Sequence, residues 1–307
     1  MAFKLTILGS NSALPTSKRF PTAHVLQVHE QFFLIDCGEG TQIQIRKYKL
    51  SFNKIRYIFI SHLHGDHYFG LFGLISTFSL LGRKAPLNII GPPDLQEIIN
   101  FQLKFLEKEF EIIYTTTIPN KSSLVLDNKT LTVTAFPLKH RIPTHGFLFR
   151  EKIPLKNIRK EAIGEYNISL KHILSIKEGN DYIQSDGSII KNERLTLPSY
   201  IPRSYAFCSD TGFHEPIIEM IKDVDLLYHE ATYLSQLDDL ALIVYHSTAA
   251  QAATIAAKAR VKKLLIGHFS ARYNGTKEFL DEAKPIFENT FAVEDGDQFE
   301  VEKTREI

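Results

Sequence analysis

The segment Ser61-His62-Leu63-His64-Gly65-Asp66-His67 closes an apolar run, Tyr57-Ile58-Phe59-Ile60, and packs three imidazoles and one carboxylate into six positions. Imidazole nitrogen and carboxylate oxygen are the ligand atoms that borderline divalent metals accept, and a compact loop can turn several of them onto one ion. Gly65, lacking a Cβ, lets the backbone bend so that Asp66 and His67 face away from His62 and His64. One loop can then serve two ions. A polar turn of solvated histidines has no need of four such groups together. Only Cys37 and Cys208 are present, too few thiols for a disulfide framework or a thiolate zinc site, so a metal here must rely on His and Asp.

Other ligand-type residues follow other apolar runs. His140 comes after Leu131–Phe136, Asp210 after Tyr205–Ser209, His229 and Glu230 after Val224–Tyr228, and His268 after Lys263–Ile266. If strands from two layers end at one edge, these side chains converge on a single crevice. Two ions about 3.5–4 Å apart need a bridging carboxylate or a shared hydroxide, and Asp210 is the best placed bridge. The chemistry implied is metal-assisted hydrolysis of a phosphodiester or a carbonyl compound. His229 reads equally as a packed histidine or as a participant.

The elements that must position these groups are legible as patterns. Lys4–Leu8, His24–Val28 and Gln31–Ile35 read as strands, and Asn88–Gly91 as another. Helices are expected over Thr41–Lys49, over Tyr68–Leu81 behind the histidine loop, and from Pro92-Pro93 through Phe110. Ser247 is the expected N-cap of an Ala-rich helix running through Arg260, ahead of a helix near Thr276–Asn289 and two closing strands. The loop Gly9–Thr16 is either a surface loop or a place where backbone amides approach a phosphate. The glycines of Asp36-Cys37-Gly38-Glu39-Gly40 suggest a tight backbone approach. Arg46, Lys47, Lys49, Lys54 and Arg56, with no acid between Thr41 and Gly65, are either a solvated face or a phosphate-contacting patch. From Arg150 to Arg194 apolar periodicity weakens and charges crowd in, which marks an inserted arm.

At 307 residues, 44% hydrophobic and 23% charged, the chain can bury a full core and resembles neither a disordered nor a membrane protein. No apolar run reaches spanning length, and no signal-peptide pattern opens the chain, so a cytoplasmic protein with no membrane partner is expected. A net charge of +1 gives no global field to draw a polyanion.

Several motifs together carry a resemblance: Leu8-Gly9-Ser10 to Thr16, Asp36 to Gln42, the histidine loop, Pro137-Leu138-Lys139-His140, Ser209-Asp210-Thr211, His229-Glu230-Ala231-Thr232, His246-Ser247-Thr248 and Gly267-His268-Phe269-Ser270-Ala271-Arg272-Tyr273. Ser-His-x-His-x-Asp-His resembles the metallo-β-lactamase superfamily, and the full set, in order, is similar to its ribonuclease Z family, in the short form. The resemblance implies an α/β (α+β) fold, an αββα sandwich of two mixed sheets with outer helices, as one domain over residues 1–307 with an arm inserted at 150–200. It implies two zinc ions, one held by His62, His64 and His140 and the other by Asp66, His67 and His268, with Asp210 bridging. The same donors also suit manganese or iron. Asp66 would accept the proton of the attacking water, and His246, oriented by Glu230, would donate to the leaving oxygen. The implied reaction is removal of the 3′ trailer from precursor tRNA, leaving a 3′ hydroxyl, by a homodimer whose arm grips the tRNA. In place of the Gly-Pro pair that many relatives carry in the arm, this chain has Asn167-Ile168-Ser169-Leu170-Lys171. The alternatives are a small-molecule ester, thioester or phosphodiester hydrolase of the same fold, and a catalytically silent nucleic-acid-binding module.

Overall fold

The computed structural model describes residues 2–305. Strands β1 (Phe3–Gly9), β2 (Ala23–Val28), β3 (Gln31–Ile35), β4 (Ile55–Phe59), β5 (Leu87–Gly91) and β6 (Ile112–Thr116) lie side by side in one sheet. The pairs β1–β2 and β2–β3 are antiparallel, whereas β3 to β6 run parallel. The second sheet begins with β7 (Ser123–Asp127), β8 (Leu131–Leu138) and β9 (Thr144–Glu151), which form an antiparallel meander. After a small hairpin, β10 (Tyr182–Ile183) and β11 (Ile189–Ile190), the sheet continues with β12 (Ser204–Cys208), β13 (Leu226–Glu230), β14 (Leu264–Gly267) and β15 (Thr290–Ala292). The last four are parallel to one another, while β12 meets β9 antiparallel. β16 (Gln298–Glu300) returns to the outer side of β1. Each sheet therefore has one antiparallel half and one parallel half, a duplicated architecture without a sequence repeat.

Side-chain alternation along the strands builds the layers. In β3, Phe33 and Ile35 enter the core between the sheets, and Phe32 and Leu34 enter the core under the first sheet's helices. In β12, Tyr205 and Phe207 point between the sheets, while Ala206 and Cys208 point to the second sheet's helices. Phe59 meets Phe147 and Phe149 across the gap with ring centroids 5.2 and 5.1 Å apart. Helix Gly70–Leu80 covers the first sheet through Leu71, Leu74, Ile75 and Phe78; helix Ala249–Ala259 covers the second through its alanines and Ile255. β12, β13 and β14 are buried at every position, so their sequences read as near-continuous apolar runs, whereas β8 alternates Thr with apolar residues.

The boundaries differ in instructive ways. The helix expected from Pro92 to Phe110 spans only Leu95–Gln102, and the one near Thr276–Asn289 only Lys277–Ala283. β6 and β9 were not anticipated. Thr248, not Ser247, caps the Ala-rich helix, forming a capping box with Gln251, while Ser247 Oγ donates to the Thr211 carbonyl at 2.7 Å. Gly65 opens a short helical turn, Gly65–Tyr68, with no positive φ; a Cβ there would enter the space of the Phe69 ring. Gly38 does mark a tight approach, because its Cβ would lie 2.6 Å from the Asp66 carbonyl oxygen. The arm contains helices Lys160–Glu165 and Leu170–Lys177 and the β10–β11 hairpin around a small core of Ala162, Ile168, Ile176, Tyr182 and Leu195.

Candidate metal centre

β4, β8, β12, β13 and β14 all end at the same edge of the sandwich. Within the second sheet this follows from the pairing: β9 is antiparallel to both β8 and β12, so those two run in the same direction. The peptides that follow β4, β8, β12 and β14 carry His62, His140, Asp210 and His268 into one crevice, and β13 itself ends on Glu230 there. Three backbone links join the sheets there, His145 N donating to Ser61 O at 3.0 Å, Phe269 N to Ser10 O at 3.2 Å and Ser12 N to Phe269 O at 3.0 Å.

Three overlapping groups of ligand-type atoms result. His62, His64, His140 and Asp210 form the first, Asp66, His67 and His268 the second, and Asp210, His246 and His268 a third that shares members with both. In the first, His64 Nδ1 stands 3.0 Å from His62 Nε2 and 3.2 Å from His140 Nε2. In the second, Asp66 Oδ2 is 3.3 Å from His67 Nε2 and 3.6 Å from His268 Nε2. Asp210 divides its oxygens between the first two. Oδ2 lies 3.6 Å from His62 and 3.9 Å from His140, whereas Oδ1 lies 3.2 Å from His67 and 3.1 Å from His268. Ligands about 2.0–2.1 Å from a tetrahedral ion sit roughly 3.3 Å from one another, and these separations have that size.

The outer faces of the imidazoles determine which nitrogen meets the crevice. His67 Nδ1 donates to Asp36 Oδ2 at 2.7 Å. His62 Nδ1 donates to Ser61 Oγ at 2.9 Å, which in turn donates to the same Asp36 oxygen. His268 Nδ1 donates to Thr232 Oγ1 at 2.9 Å, and that hydroxyl donates a hydrogen bond in turn to Glu230 Oε2. His140 Nδ1 donates to the Tyr245 carbonyl at 2.9 Å. With Nδ1 occupied as a donor in all four rings, Nε2 is left as a lone pair directed inward. His67 Nε2, His268 Nε2 and Asp210 Oδ1 are buried and have no hydrogen-bond partner among the described residues. Lone pairs and a carboxylate oxygen facing one another at such distances repel unless a cation lies between them. The residues present therefore fit a divalent pair.

Electrostatics point the same way. Burial, reinforced by His67, lowers His62 to about 3, so it stays neutral and able to ligate. Burial alone would raise the Asp66 and Asp210 carboxyls, but neighbouring histidines hold both well below the usual range. Burial would also lower His67, yet Asp210, Asp66 and Asp36 outweigh it and raise the ring, a field that draws positive charge. His246 is different: Glu230 Oε1 accepts from its Nδ1 at 2.7 Å and, against burial, raises it to about 9. Its ring stands 5.4 Å from that of His140 and 5.5 Å from that of His268.

The family model described as Anti-Pycsar protein Apyc1 matches residues 3–284. The ribonuclease Z of Phocaeicola vulgatus is 47% identical over 305 residues, covering 99% of this chain and 99% of its own length. The chain belongs to the ribonuclease Z family. Among solved structures, human tRNase Z, short form, superposes with a TM-score of 0.70 at 27% identity over 96% of this chain and 98% of its own. The metallo-β-lactamase fold protein YhfI from Bacillus subtilis matches with a TM-score of 0.70 at 18% identity, over 98% of this chain and 100% of its own, a likeness of fold. This ribonuclease Z family member thus has the metallo-β-lactamase sandwich.

All nine singled-out residues, His62, His64, Asp66, His67, His140, Asp210, Glu230, His246 and His268, meet at this edge. His229 does not. It is fully buried on the face of β13 opposite Tyr228 and Glu230, with Nδ1 donating to the Glu230 carbonyl at 2.7 Å. Asp36, Thr232 and Tyr245, given no role from sequence, orient four of the imidazoles; only a strand-end location for Asp36 hinted at this. The Gly9–Thr16 loop offers few free amides, because Ser10 N donates to Asp295, Asn11 N to Phe20 O, Ser12 N to Phe269 O and Thr16 N to Arg19 O. Lys54 and Arg56 stand at the start of β4, the edge opposite the crevice, where Lys54 pairs with Glu30. The basic stretch is a solvated face there.

Proposed function

We infer that the chain is a metal-dependent endoribonuclease that removes the 3′ trailer of precursor tRNA and leaves a 3′ hydroxyl on the tRNA. The observation that carries the site is the division of Asp210 between two groups of inward-facing imidazoles. We propose His62, His64 and His140 as ligands of one zinc ion, Asp66, His67 and His268 as ligands of a second, and Asp210 as the bridge. When bound there, the cations supply positive charge to a phosphoryl oxygen and acidify the attacking water.

The chain's own groups do the rest. The Asp66 carboxylate, held ionised by His67 and His268, accepts the proton of the attacking water. His246, held protonated by Glu230, donates to the departing 3′ oxygen of the tRNA as the P–O bond breaks. Proton uptake and release thus balance within the crevice.

The arm, residues 150–200 of a single domain spanning 1–307, is proposed to grip the tRNA body; Met1, Glu306 and Ile307 lie outside the described residues. Its root supports this. Arg150 and Ser204 pair at the far end of β9 and β12, so the arm leaves the sandwich at the edge away from the cut. A homodimer is supported by exposed Leu80, Phe101 and Phe105 around helix Leu95–Gln102. Cytoplasmic residence is proposed with it; no described helix is long and apolar enough to cross a membrane.

The test is cleavage of a defined precursor tRNA by purified protein. A 3′ hydroxyl end, arrest by a chelator and recovery with zinc are expected. No cleavage with zinc restored, or preference for small esters over structured RNA, would sink the assignment.

A further inference from the structure

We infer that Tyr245 is a positioning residue: its left-handed backbone turn aims its carbonyl at His140 and delivers His246 to Glu230, so one local conformation sets both groups. This rests on reading His140 as a ligand and His246 as the proton donor.

Helix Asp238–Val244 stops at Tyr245, whose φ of 61° and ψ of 47° lie in the left-handed region. The Tyr245 and His246 amides both donate to the Ala241 carbonyl, the latter at 2.9 Å. That pair of hydrogen bonds to one carbonyl ends the helix at a position where glycine or asparagine is the usual residue. An aromatic side chain there is strained and persists only when its surroundings over-determine the backbone.

Those surroundings are the loops of the crevice itself. Lys139 N donates to Thr211 Oγ1 at 3.1 Å and Gly212 N to Lys139 O at 2.8 Å. Ser247 Oγ donates to Thr211 O at 2.7 Å, and a Cβ at Gly212 would lie 3.7 Å from Tyr245 Cα. The peptides beside His140, Asp210 and His246 are thus bonded to one another around this turn. The other three anchored imidazoles are held by side chains, Asp36, Ser61 and Thr232. His140 alone among the four is held by a backbone carbonyl, so its orientation depends on the φ and ψ of residue 245, not on a deletable group. The same angles determine where the next residue, His246, begins.

Substitutions that keep or oppose the left-handed backbone separate this role from that of the ring. Tyr245→Gly and Tyr245→Asn are expected to retain the wild-type kcat on bis(p-nitrophenyl) phosphate and precursor tRNA, and to retain zinc stoichiometry. Tyr245→Val, β-branched and opposed to positive φ, is expected to lower kcat on the order of 10- to 100-fold with KM little changed, and to weaken binding of one zinc. In the metal-free protein, the His140 Nδ1–H signal in NMR should be protected in wild type and Tyr245→Gly and lost in Tyr245→Val. Should Tyr245→Val fail to fold, Tyr245→Ala should fall between glycine and valine in zinc affinity and kcat; alanine equal to glycine overturns the inference. So does a valine variant with full activity and zinc, or glycine and asparagine variants as impaired as valine, which would place the role in the ring. Wild-type protein that binds no zinc overturns the ligand reading itself, an outcome independent of how the variants rank.

Discussion

The carboxylate of Asp36 accepts the Nδ1–H of His67 at 2.7 Å, and both side chains are fully buried. Asp36 also accepts from the Ser61 amide and hydroxyl and, at 3.5 Å, from the Ser209 hydroxyl. It therefore controls the His67 ring directly and the His62 ring through Ser61. Asp36→Asn keeps the volume but can present an N–H to the ring. The expected outcome is a loss of about 10- to 100-fold in zinc affinity or kcat, read by competition with a chromogenic chelator alongside trailer cleavage.

Asp66 is buried in the crevice, and unlike Asp36 it faces two imidazoles, those of His67 and His268. Asp66→Ala should abolish cleavage while weakening precursor tRNA binding far less. Gel-shift and cleavage measured on one preparation decide it; equal loss of both would give Asp66 a structural role alone.

Glu230 does three things at once: it accepts from His246 Nδ1, from Thr211 N and from the Thr232 amide and hydroxyl. His246→Ala should lower kcat by on the order of 10²- to 10⁴-fold, the usual span for a general acid, with the fold intact by circular dichroism. Glu230→Gln should lose activity and also melt at a lower temperature, since a buried network loses its acceptor.

Far from the crevice, Glu151 accepts from Arg203 N at 3.0 Å, Nε at 2.8 Å and Nη2 at 2.8 Å, with His29 Nε2 at 3.1 Å. Burial would raise its carboxyl, but the Arg203 hydrogen bonds and charge lower it. A group depressed on folding contributes stability that is complete above the ordinary glutamate range and disappears as pH falls through the lowered value. Glu151→Ala should cost roughly 3 kcal/mol near neutral pH, and the gap to wild type should close in acid. Urea melts across that range provide the measurement.

Because β9 and β12 are hydrogen-bonded neighbours, with Arg150 opposite Ser204, a short turn can replace the intervening arm without breaking either sheet. That variant should bind precursor tRNA poorly yet hydrolyse bis(p-nitrophenyl) phosphate at the wild-type rate. Retained tRNA affinity would remove the arm from recognition.

The chemistry was legible in the chain because metal ligation depends on residue types, and a run such as His62 to His67 concentrates those types where chance would not. Strands were legible for a related reason: β12, β13 and β14 are buried at every position and β3 at all but its first, so each carries an apolar run that stops abruptly at a polar residue. What lay beyond sequence was orientation. Nothing in the spacing of Asp36 and His67, of Thr232 and His268, or of Tyr245 and His140 reveals which ring nitrogen is a donor and which a lone pair. That is decided by contacts between segments 31, 36 and 105 positions apart. Helix ends depart from the local pattern where tertiary bonds outcompete local capping, as when Ser247 turns its hydroxyl to Thr211 and leaves Thr248 to cap. The histidine loop, taken alone, holds parts of two groups of ligand-type atoms. Only the convergence of two sheets at one edge, which places the two oxygens of Asp210 between them, makes those parts a single centre.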